Sequence, residues 1–191
     1  SDVCSSDLKM ANCENKSFAY DEMMVHVPLC SHKDINKILV VGDVSSDFKA
    51  ELDKHECKDV TYSDALNVEG QFDIILYNND VPSDLEMAAV ERCIEPKKGI
   101  FVTRASFIHK DVEVSKNELS TIGKNFWISM PFSFGHNTLI FASKKYHPQA
   151  EIVLQVSDLL EDCNYYNTEL QNACFVHPTH ITKAITGIAK R

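Results

Sequence analysis

Acids follow apolar runs at three places in this chain. Ile38-Leu39-Val40-Val41 is a β-branched run closed by Gly42 and followed by Asp43. Val60-Thr61-Tyr62 leads into Ser63-Asp64, and Phe72 to Tyr77 leads into Asn78-Asn79-Asp80. The first run has the profile of a parallel strand buried on both faces. Doubly wound α/β sheets bind their ligands at the carboxyl ends of such strands, where an acid can hydrogen-bond a ribose. Gly42 at that end lets a ligand approach the backbone. Metal chemistry has less support. The seven cysteines (4, 13, 30, 57, 93, 163 and 174) form no CxxC pair, and their odd count points to reduced thiols. His177 and His180 share an i,i+3 spacing with no acid or cysteine to complete a ligand set, so no metal is expected.

The elements that must position these acids alternate. Tyr20 to Leu29 has helical spacing through Met23, Met24, Val27 and Leu29, with Asp21 and Glu22 near its start and Pro28 disturbing its last turn. A polar helix over 47–56, a helix over 84–93 and a helix over 112–122 separate the strands, which continue at 99–103, 126–130 and 137–143. The short MPFSFGH connection between the last two is too short for a parallel crossover, so they form an antiparallel hairpin. Residues 149–162, 167–174 and 178–188 read as C-terminal helices. The fold class is therefore α/β, a Rossmann-like sheet of methyltransferase type, mainly parallel with an antiparallel C-terminal hairpin. Trp127 and Phe132 are assigned to core packing and His136 to a surface turn.

Bulk composition bounds the rest. The chain has 191 residues, 44% hydrophobic and 25% charged, enough for one domain with a sizeable core. No apolar run approaches the ~18 residues that span a bilayer, and a soluble, cytoplasmic protein is expected. The net charge of −9 argues against nucleic acid or an anionic membrane as partner and suits a cationic substrate. Ser1 to Leu8 has no periodicity and reads as a translated adapter scar, which implies a natural protein longer at its N-terminus.

YDEMMVHVPL, followed by CSH, a polar connector and ILVVG, resembles the polyamine aminopropyltransferases, the spermidine synthase family. Asn164-Tyr165-Tyr166-Asn167, running on to ELQNACFVHP, is similar to the family's C-terminal YYN…FVLP segment. The resemblance covers roughly residues 14–185 and implies a domain over 20–191, with 9–19 the remnant of a small N-terminal β domain. It also implies a homodimer or homotetramer at full length. The implied reaction moves an aminopropyl group from decarboxylated S-adenosylmethionine, a co-substrate rather than a cofactor, to putrescine. The products are spermidine and methylthioadenosine. Such a displacement needs acids to hold a dication, a carboxylate near the attacking nitrogen and aromatic walls.

Carried over residue by residue, the resemblance implies catalytic roles for Tyr20, Asn78 and Asp80. It implies substrate-binding roles for Asp21, Gly42, Asp43, Asp64, Tyr165 and Tyr166. Two loops depart from the family pattern. Its Gly-Gly-Gly-Asp-Gly-Gly loop is here Gly42-Asp43-Val44-Ser45-Ser46-Asp47, and its catalytic Asp-Ser-Ser-Asp-Pro loop is Asn78-Asn79-Asp80-Val81-Pro82. An amide cannot accept a proton, so catalysis would rest on Asp80 or a water it holds. Only 29 residues separate Gly42 from Phe72, room for about one αβ unit rather than two. These departures, and residues 128–148, resemble the divergent epsilonproteobacterial spermidine synthases. The alternative they support is a non-catalytic homologue acting as a binding or partner subunit.

Overall fold

A six-stranded sheet in the order β2-β1-β3-β4-β6-β5 organises the chain, in a computed structural model that describes residues 16–55 and 59–191. The adapter scar expected over 1–8 and most of the remnant expected over 9–19 lie outside the described residues. Helix α1 (Lys16–Leu29) precedes β1 (Lys37–Val41), α2 (Ser46–Asp53) and β2 (Asp59–Ser63). Next come β3 (Ile74–Tyr77), α3 (Asp84–Cys93), β4 (Ile100–Ala105) and α4 (Val112–Ile122). The hairpin β5 (Ile128–Phe134) and β6 (Asn137–Ser143) is followed by three short helices: α5 (Leu154–Ser157), α6 (Thr168–Ala173) and α7 (Thr179–Ile185). β1 pairs in parallel with β2 and β3, and β3 with β4, while β6 runs antiparallel to both β4 and β5.

Alternation along the strands divides the core in two, because successive side chains leave opposite faces. Ile38, Val40, Ile74, Leu76, Ile100 and Val102 meet α1, α2 and the C-terminal segment around Tyr166 and Phe175. Leu39, Val41, Ile75, Tyr77 and Phe101 meet α3, α4 and α7 on the other side. No helix lies between β2 and β3, as the short middle of the sequence requires. Leu66 and Val68 of that connection pack on the second face instead. Local signals agree with the boundaries. Ser83 and Glu86 form a capping box on α3, and Asp111 accepts from the amides of Glu113 and Val114 at the start of α4.

Several expectations are corrected. Helix α1 starts at Lys16, so Asp21 and Glu22 lie in its second turn rather than at its positive end. Every residue from Asp21 to Cys30 is buried, because the helix is enclosed by the sheet, α2 and the C-terminal segment. Most of MPFSFGH is strand: β5 runs to Phe134, and only Gly135 and His136 turn, Gly135 with a φ of +54°. Phe132 is in the core as expected, but Trp127 is 79% exposed, standing just before edge strand β5. Residues 149–162 hold only the short α5. The amides of Gln149 and Ala150 turn back to His147 Nδ1, a local bond that competes with a helix start.

Candidate active site

The strand order reverses between β1 and β3, with β2 on one side and β4 on the other. Their carboxyl ends therefore splay apart and open a crevice, the usual ligand position in such sheets. Two adjoining clefts occupy it. The first, about 520 Å³, is lined by Tyr20 and Asp21 of α1, Asp43 to Ser45 after β1, Asn78 after β3, Arg104 and Ala105 of β4, and the β5–β6 hairpin. The second, about 430 Å³, is lined by Gly42, Asp43, Val44, Lys49, Tyr62, Ser63 and Asp64. Asp43 and Val44 belong to both, so the pair forms one crevice running from the edge of the sheet to its middle.

Asn78 is the most constrained residue of the first cleft. Its Oδ1 accepts from the Tyr20 hydroxyl at 2.8 Å and from Arg104 Nη2 at 3.1 Å, and its Nδ2 donates to the Asp43 carbonyl. Arg104 Nε donates to the Tyr20 hydroxyl at 2.8 Å, and the guanidinium lies 4.8 Å from the centre of the Tyr20 ring. Burial raises the Tyr20 pKa despite the guanidinium beside it, so the phenol keeps its proton and goes on donating. Asp21 is 9% exposed and accepts from Ser45 Oγ at 3.1 Å. Burial, with Asp47 and Glu51 nearby, pushes its carboxyl above the usual carboxylate range against the pull of Ser45 and Arg104. Ser45 also caps α2 through the Phe48 amide. The residue at the family's aspartate position thus ties the loop after β1 to α1.

Gly42 serves a neighbour rather than open space. Its φ is +96°, and an added Cβ would stand 2.3 Å from Asn79 Oδ1. Asn79 Nδ2 reaches on to the Asp64 carbonyl at 3.1 Å, so the loops after β1, β2 and β3 are laced together. Asp64 is exposed at the rim of the second cleft. Asp80 is exposed and lines neither cleft. Tyr166 is buried and donates to Gln171 Oε1, while Tyr165 is half-buried between Phe18 and Phe134. Neither tyrosine lines a cleft.

The YYN segment is instead held from below. The Glu22 carboxylate accepts the backbone amides of Asn164, Tyr165 and Tyr166 at 2.9, 2.8 and 2.7 Å, and Glu22 is 1% exposed. The acid of the YDEM motif therefore anchors the YYN motif 142 residues away. Sequence reasoning missed this anchor, whose signal is an acid inside the apolar run EMMVHV. It also missed Arg104, whose signal is a cation at the end of the strand GIFVTR.

Among the described residues, one group brings metal-type ligands together: His26, Glu51 and Cys163, with ligand atoms within 4.8 Å of one another. Its bonds are already matched. His26 Nε2 meets Glu51 Oε2 at 2.9 Å, His26 Nδ1 meets His55 Nε2 at 2.8 Å, and the Lys54 ammonium sits 2.8 Å from Glu51. Burial lowers the His26 pKa to about 4, and a neutral imidazole bridging His55 and Glu51 accounts for both contacts.

The sequence model of the spermine/spermidine synthase domain matches residues 17–65, which span α1, β1, α2 and β2. The polyamine aminopropyltransferase of Clostridium botulinum (strain Alaska E43 / Type E3) is 25% identical over an alignment 221 positions long, covering 88% of this chain and 78% of its own. That of Helicobacter acinonychis (strain Sheeba) is 21% identical over 197, covering 86% and 75%. Among solved structures, Thermotoga maritima spermidine synthase superposes with a TM-score of 0.78 at 20% identity, over 91% of this chain and 75% of that one. A spermidine synthase in complex with the transition-state analogue AdoDATO superposes with a TM-score of 0.77, at 20% identity and over 91% and 76%. Sequence and fold point the same way: over most of its length the chain is similar to the polyamine aminopropyltransferases, and residues 17–65 match the spermine/spermidine synthase domain.

Proposed function

We propose that the chain is an aminopropyltransferase that moves the aminopropyl group of decarboxylated S-adenosylmethionine to a primary amine. The resemblance implies putrescine as the acceptor, which would give spermidine and methylthioadenosine. The observation that carries this reading is the pair of adjoining clefts at the switch point, one for a nucleoside beside Gly42 and Asp64, the other for an amine beside Tyr20 and Asp21. The attacking nitrogen must be neutral, so a carboxylate has to take its proton. Asp80 lies outside the cleft and Asn78 cannot accept; of the two carboxylates that line it, Asp21 and Asp43, we assign the role to Asp21, whose raised pKa suits a base better than an ordinary aspartate does. Tyr20 and Asn78, hydrogen-bonded to each other, line the same cleft. A second reading, a non-catalytic binding subunit, is favoured by one observation: Asn78 Oδ1 is already filled by Tyr20 and Arg104.

Turnover separates the two. Wild-type protein with the donor and an amine acceptor should release methylthioadenosine in step with a new secondary amine. Asp21→Asn should lower the rate by about 10²–10⁴, and Asp80→Asn by less than about tenfold. Nucleoside binding without any turnover would establish the second reading.

A further inference from the structure

Arg104 is out of place in a cleft meant only for a diamine. Two of its N–H groups are engaged, one by Tyr20 and one by Asn78, and the ring of Tyr20 supports the plane of the guanidinium. Arginine has five such donors, and the others have no partner among the described residues. Asp21 and Asp43 line the same cleft, yet no carboxylate of the described residues lies within 4.0 Å of the guanidinium. Arg104 is exposed, so those donors face solvent, and the guanidinium is a cation oriented by Tyr20 and Asn78 in a cleft that also holds two acids, of which Asp21 feels its charge. A diamine would bring a second ammonium toward it and be repelled. An amine with a carboxylate at its far end would find both partners, since a guanidinium fork matches a carboxylate.

We propose that Arg104 forms an anion subsite in the acceptor cleft, so that the enzyme accepts a primary amine that also bears a carboxylate, an ω-amino acid, ahead of a diamine. The proposal rests on the aminopropyl-transfer reading of this cleft. In the step itself the neutral amine nitrogen bonds to the propyl carbon as the carbon–sulfur bond breaks. The bonding pair stays on sulfur, giving neutral methylthioadenosine, and the proton shed by nitrogen passes to Asp21 and on to solvent. Arg104 takes no part in the bond changes and acts on which acceptor is held.

Putrescine and 4-aminobutyrate separate the possibilities, because they differ only in replacing one aminomethyl end by a carboxylate. Each is titrated calorimetrically into protein saturated with methylthioadenosine, for wild type, Arg104→Gln and Arg104→Lys. Wild type should favour 4-aminobutyrate. Arg104→Gln should weaken 4-aminobutyrate by about 10- to 100-fold and strengthen putrescine, the scale of one charge-assisted contact. Arg104→Lys, which keeps the charge but loses the fork, should retain only part of the preference. An affinity ratio unchanged by Arg104→Gln, or a wild type that prefers putrescine, would overturn the anion subsite while leaving the transferase reading intact. Failure of methylthioadenosine itself to bind the folded protein would overturn both.

Discussion

Replacing Glu22 by glutamine should unfasten the C-terminal segment without disturbing the sheet. The carboxylate is buried and accepts three backbone amides, two on Oε2 and one on Oε1. Glutamine can keep its carbonyl at the Oε2 position, but its amide group then points a donor at the donating N–H of Asn164. One bond is lost outright and the other two lose their charge assistance. Hydrogen bonds to charged groups are worth ~1.5–3 kcal/mol and neutral ones ~1, so the expected cost is about 2.5–7 kcal/mol. For a chain of this size that is a fall in Tm of roughly 5–25 °C. Urea unfolding measures the cost, and amide hydrogen exchange locates it. Protection at residues 164–166 should fall by more than in β3 or β4. A loss below about 0.5 kcal/mol, or a uniform change in exchange, would refute the anchor role of Glu22.

Three further outcomes follow. Gly42→Ala should destabilise by about 1–3 kcal/mol and weaken nucleoside binding, since its positive φ and the Asn79 side chain leave no room for a Cβ; urea unfolding and calorimetry read the two effects. Stability should fall on mild acidification. His26 and His32 are held near 4 by burial, whereas unfolded histidine titrates near ~6.5. The unfolded chain therefore binds protons that the folded one refuses. This stability is fully present above pH ~6.5 and is lost as pH falls toward 4, about 3 kcal/mol for each histidine, visible as a drop in the urea midpoint between pH 7 and pH 5. Asp21→Asn should suppress turnover far more than Asp80→Asn, and the reverse order in methylthioadenosine release would return the base to the loop after β3.

What could be read in the sequence, and what could not, follows from the range of the interactions. β1 and β3 are central strands, and their unbroken apolar runs announce them; the antiparallel hairpin, though not its register, followed from the lack of chain for a crossover. The boundaries of α3 and α4 were legible because caps are local, Ser83 with Glu86 and Asp111 with the next turn. The edges were less so. β2 pairs on one side only and has a weak pattern, and Trp127 stands where the chain enters an edge strand with solvent on one flank. The crevice itself was legible in Gly42, Asp43 and Asp64, which sit at strand ends. That Asp21 lines the cleft while Asp80 does not was not legible, because it depends on how α1 lies over the ends of the strands. Arg104 fell one residue past the expected end of β4, and whether a strand continues there is decided by its pairing with Leu139 of β6. The contact between the two motifs that carry the family resemblance bridges 142 residues and has no local trace.

The central claim is that the laced loops after β1, β2 and β3 still hold a nucleoside although most of the family's glycines are gone. Calorimetric titration of methylthioadenosine into the protein, wild type beside Asp64→Asn, tests it directly. The account predicts binding in the micromolar range for wild type and clear weakening in the variant. No heat of binding from a protein that is folded by circular dichroism would contradict it.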